Sequence, residues 1–62
     1  MLLREAHKLK SDEIRNARIN ALEARRQGDH WEYNEWLKYV DELQSMSDVD
    51  TKKWADRHFG RG

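Results

Sequence analysis

The chain has no cysteine, no proline, only three glycines among its 62 residues, and no apolar run near the roughly 20 residues a membrane-spanning helix needs. Each absence excludes something. Without cysteine no disulfide can staple the fold; the redox compartment stays open, and a reducing cytosol is compatible. Without proline, and with so little glycine, the sequence has few helix breakers, and sandwiches or barrels with their many turns are set aside. Met1-Leu2-Leu3-Arg4 meets a charge too soon for a secretory signal. A soluble, cytoplasmic chain is the expectation.

Chemistry-bearing motifs are equally scarce. His7, His30 and His58 lie far apart, with neither His-x3-His nor Cys/His spacing, so no metal site and no cofactor are expected. The phosphate-cradling glycine loop, the nucleophile elbow and the metal-binding helix motif are all missing. Glu32, Glu35, Asp41 and Glu42 are plentiful carboxylates, but acid–base catalysis needs a cleft that desolvates one of them. A chain this short offers little scaffold for such a pocket. No catalytic residue is assigned, and a non-enzymatic protein is expected.

What is present is charge and helical periodicity. Charged residues make up 39% of the chain and hydrophobic ones 37%, a balance typical of solvated helices. The formal net charge is zero but uneven: Met1 to Arg26 holds seven Lys/Arg against four acids, Gln27 to Gly62 five against eight. Halves of +3 and −3 favour packing on each other or on a second copy, and disfavour indiscriminate nucleic-acid binding.

The stretch Asp29 to Met46 organises the rest. Tyr33, Trp36, Leu37, Val40 and Leu43 recur at helical spacing and share one side of a helix. Asp29 is placed to cap that helix, and Glu32 three residues on could reach back to the cap's N–H as in a capping box. Gly28 suits the left-handed position that ends a preceding helix. Gln27-Gly28-Asp29 thus reads as a minimal junction between two helices.

Before the junction, Leu3, Ala6 and Lys10 are spaced to continue a helix through Ile14, Ala17 and Ala21; Ser11-Asp12-Glu13 offers a rival start, and one helix from about Leu3 is favoured. Two stripes run along it. Ile14, Ala17, Ala21 and Ala24 form a small-residue stripe on which the bulky second helix can close, large against small. Arg15, Ile19, Leu22 and Arg26, with Arg18 and Arg25 alongside, place apolar residues between arginines, which reads as an interface. Trp31 falls opposite Trp36, either as an exposed anchor or packed under a third helix. That third helix is announced by Ser47 or Asp48 as cap, with Asp50 in its first turn and Trp54, Ala55, His58 and Phe59 on one side. Gly60 can end it, and Gly60-Arg61-Gly62 reads as a disordered end.

The fold expected is a single all-α domain over 1–62: helices at about 3–26, 30–46 and 49–58, arranged as a helical hairpin plus a short C-terminal helix. Its core would be Ile14, Ala17, Ala21, Tyr33, Trp36, Leu37, Val40 and Leu43, and its interface Arg15, Arg18, Ile19, Leu22, Arg26 and Trp31. Chains this small bury only about 60% of the surface exposed on unfolding, so a homodimeric bundle is expected to supply the missing stability. The rim arginines would then face Glu35, Asp41 or Glu42 of either chain. An unidentified protein partner is the other expectation, and phosphate binding by Arg15, Arg18, Arg25 and Arg26 is the alternative.

The run DEIRNARINALEARRQGDHWEYNEWLKYVDELQSMSDVDTKKWADRHFGRG resembles, in overall texture, the small early proteins encoded in the exo–xis region of lambdoid temperate bacteriophages. That resemblance implies an all-helical accessory protein acting in the bacterial host cytoplasm, influencing phage development or the lysis–lysogeny choice through protein partners. It carries no functional residues with it.

Overall fold

A computed structural model describes residues 1–60. The expectation for Arg61 and Gly62 lies outside the described residues. All regular structure among those described is helical: α1 spans Leu3–Arg26, α2 His30–Ser45 and α3 Asp48–Phe59. The longest dimension, 39 Å, is set by α1, whose 24 residues span about 36 Å at the α-helical rise. Ser11 and Asp12 do not restart the chain; α1 runs through them unbroken.

The junction between α1 and α2 follows from three residues. Gly28 sits at φ 77°, the left-handed region open to glycine at no steric cost. That geometry turns the chain so that the Gly28 N–H donates to the Arg25 carbonyl at 3.1 Å and the Asp29 N–H to the Ala24 carbonyl at 2.9 Å. This pair of bonds is a Schellman cap and satisfies carbonyls the end of α1 would leave bare. The Asp29 carboxylate then accepts from the Glu32 N–H at 3.0 Å and caps α2. One half of the expected capping box is not formed. Because the Asp29 N–H is already engaged by Ala24, the Glu32 carboxylate is released to accept, at 3.4 Å, from the Trp36 indole N–H.

α3 starts at Ser47, whose hydroxyl accepts from the Asp50 N–H at 3.1 Å. Its last turn carries Arg57 and His58, favourable beside the carbonyl end of a helix. Gly60 ends α3 with extended, not left-handed, backbone; a side chain there would run into the Asp56 carbonyl.

α1 packs against both other helices. Ala6, Leu43, Trp54 and Ala55 form the core cluster, with Leu9, Ile14, Tyr39 and Met46 packed around it. Ala17, Ala21 and Ala24 are buried along α1, as is Val40 of α2, so the small-residue stripe is a contact surface. Ile14, Tyr33 and Trp36 are half-buried. Leu37, placed in the core by its spacing, is 37% exposed. It lies roughly 100° around α2 from Trp36, at the edge of the contact stripe. Thr51, fully buried, accepts a hydrogen bond from the Lys10 ammonium at 3.1 Å, which satisfies a hydroxyl costly to leave unpaired in the interior. No helix of the described residues is long and apolar enough to cross a membrane.

Candidate interaction site

α1 and α2 present two unlike flanks on either side of their contact. The first gathers most of the interface residues singled out from sequence. Ile19 and Leu22 are each 57% exposed, and open grooves bring them together with Arg15, Arg18, Arg25 and Arg26. A further groove adds Tyr33 and Leu37 of α2 to Arg18, Ala21 and Leu22. Helical spacing puts Leu37 and Tyr33 in the core and Ile19 and Leu22 at an interface; the structure brings all four to one continuous strip. Spacing along α2 alone could not reveal this, since which edge of its stripe α1 leaves uncovered depends on how the helices cross.

The arginines of this flank have few partners. Arg26 lies 3.7 Å from Glu23 one turn earlier, and both ends of that pair are open to solvent, where such pairs contribute little. Among the described residues, none of Arg15, Arg18, Arg25 and Arg26 meets an acid of α2 within the chain; Glu35 is 3.7 Å from Lys38 of its own helix.

The second flank is acidic and aromatic. The Tyr39 hydroxyl donates to Glu13 at 2.9 Å, tying α2 to α1. Burial first, then the hydrogen bond to Glu13 and the Glu13 and Glu42 charges, raise the Tyr39 pKa above its ordinary value; the Trp54 indole N–H pulls the other way. That indole N–H is buried, and its pull on the Tyr39 oxygen falls short of a formed hydrogen bond. Trp36 stands edge-on to Tyr39, centroids 6.2 Å apart, and donates to Glu32. Trp31, an interface residue by sequence, is 74% exposed and does not pack under α3. It belongs to the outer side of α2, apart from the Ile19 strip.

Two of the three histidines make structural contacts. His7 Nε2 lies 2.9 Å from Asp48 Oδ1, joining α1 to the start of α3, and His58 Nδ1 lies 2.9 Å from the Trp54 carbonyl one turn back. His30 is exposed at the start of α2. Among the described residues no cluster of three His, Cys, Asp or Glu side chains could hold a metal ion.

The fold and its surface define a small all-α protein whose distinguishing feature is an uncovered apolar strip between arginines. No family model, curated protein or solved structure matches the chain.

Proposed function

We propose that this protein is a non-enzymatic interaction and regulatory module, a helical hairpin with a short third helix that self-associates into a bundle. The observation that carries this reading is the strip of Ile19, Leu22, Leu37 and Tyr33, apolar at its centre and edged by arginine. Arginine and aromatic groups around an apolar centre are the composition of interface patches, whereas scattered single apolar residues need no partner. The resemblance to phage early proteins fits the same class: a small accessory protein in the bacterial cytoplasm that influences phage or host development through protein contacts. Coupled association and folding would make the melting temperature rise with protein concentration. Ile19→Glu, placing a charge at the strip's centre, should abolish that rise and leave the dilute chain folded, because Ile19 is exposed in the single chain. A concentration-independent melt together with a monomer in sedimentation would overturn self-association.

A second reading is favoured by the arginines that meet no acid of α2: the same flank could contact nucleic-acid phosphates. Its sign would be binding of labelled duplex or single strand that weakens steeply with salt. The apolar residues between the arginines favour protein, since a phosphate backbone gives them nothing to bury against.

A further inference from the structure

We infer that copies of this chain associate head to tail, the arginine flank of one seated on the acidic, aromatic flank of the next. The inference rests on the self-association proposed above and specifies its geometry. Placed at helical intervals, Glu13 lies roughly 120–180° around α1 from Ile19 and Leu22, and Glu35 and Glu42 lie roughly 140–160° around α2 from Leu37. The observed contacts agree with this division. Arg15, Arg18, Ile19 and Leu22 share one groove, whereas Glu13 and the Glu42 charge both act on Tyr39, on the other flank. One molecule therefore carries two complementary surfaces facing apart.

Charge favours this arrangement over a two-fold dimer through the strip. A two-fold axis between Ile19 and Leu22, with α1 antiparallel on its copy, sets Arg15 opposite Arg26 of the second copy and Arg18 opposite Glu23, which lines the same groove; with α1 parallel, each arginine meets itself. The parallel arrangement presses only like charges together as the strip is buried, and the antiparallel one keeps the Arg15–Arg26 clash beside its Arg18–Glu23 pair. Seating the strip on the opposite flank instead gives the arginines Glu35 and Glu42, and gives Ile19 and Leu22 the exposed Trp31 and the half-buried Trp36 ring. Arginine over a tryptophan face adds cation–π attraction. Such an interface is heterologous: every assembly still shows one free flank of each kind at its ends, so growth continues into a ring or an open ladder.

Two double variants test the geometry, Arg15→Glu/Arg18→Glu and Glu35→Arg/Glu42→Arg. All four positions are exposed, and circular dichroism of dilute samples checks that each variant folds. By sedimentation, the wild-type chain should form species that grow past the dimer with concentration and shrink with added salt. Each variant alone should associate at least about tenfold more weakly, and an equimolar mixture should recover association to within about threefold, because each reversed flank finds a reversed flank on the other variant. A mixture no stronger than either variant alone overturns head-to-tail seating, as does a wild-type assembly that stops at two. In both cases self-association itself survives. A wild-type monomer at every concentration would remove self-association along with its geometry.

Discussion

The two ends of the α1–α2 pair are closed differently. Where α3 crosses α1, three helices surround Leu43 and Trp54, which are 2% and 8% exposed. Toward the Gly28 turn only two helices meet, and alanines fill the space between them. Alanine permits close approach but covers nothing beyond itself, so Leu22 of α1 and Leu37 of α2, on the same flank of the contact, reach past it into solvent. Two helices in contact each bury one stripe; a wider apolar face needs a third element. Among the described residues α3 is that element at one end, and none covers the other. Exposed Val49 and Phe59 show that the α3 end is not free of outward apolar groups, but they lie at opposite ends of that helix.

The comparison can be broken most directly by cutting a cavity in each end. Leu43→Ala should destabilise by about 3 kcal/mol, since it removes one of the largest fully buried side chains from a place ringed by three helices. In so small a domain that is a large share of total stability. Leu37→Ala, measured on dilute monomer, should cost under about 1 kcal/mol, because a side chain already partly in water has less transfer energy to lose. Equal losses at the two positions would show that the turn end is as well packed as the α3 end. Val40→Ala should fall between them, at about 2 kcal/mol for two buried methyl groups and an incompletely collapsed gap.

A smaller effect tests what holds the open end in shape. Gly28→Ala should cost about 1–2 kcal/mol through backbone conformation alone, since a Cβ at this left-handed position meets nothing within 4 Å. Asp29→Ala should cost about 1 kcal/mol by removing the α2 cap. Thermal melts of both variants give these values. A neutral Gly28→Ala would mean that the Schellman turn is replaceable by another path between the helices.

These local devices were legible in the sequence because their rules act over a few residues. Gly28 and Asp29 carry their conformations with them, Ser47 sits three residues before the N–H it caps, and helical spacing locates the α1 and α2 stripes. What could not be read depends on how helices cross. Ala6, Thr51 and Ala55 are buried only because α3 returns to the first turns of α1, a contact between residues some forty positions apart. Tyr39 lies off the Trp36–Val40 stripe and becomes a core neighbour for the same reason. Leu37 shows the converse error: periodicity gives the axis of a stripe and not its width. At the strip, the pairing of apolar residues with arginine was visible on α1, whereas the contribution of α2 became visible only once the two helices were set side by side.

Tyr39 offers the finest probe of the closed end, because its hydroxyl stands where the three-helix core meets the acidic flank. Burial and the neighbouring Glu13 and Glu42 charges raise its pKa in the folded chain, while in the unfolded chain it titrates near the ordinary tyrosine value of 10.0. A raised folded-state pKa means that the native protein resists losing this proton. The associated stability is fully present below the unfolded value and is lost as pH rises through the folded one. Denaturation followed from neutral pH into the range above about 10 should therefore show stability falling as the phenolate becomes available to the unfolded chain. Tyr39→Phe removes both the titration and the hydrogen bond to Glu13, so its alkaline slope should be shallower than that of the parent. At neutral pH its loss should be only about 1 kcal/mol, the net contribution of one hydrogen bond. Parallel alkaline slopes for the two proteins would place the Tyr39 hydroxyl in solvent and leave the closed end resting on Leu43, Trp54 and their apolar neighbours alone.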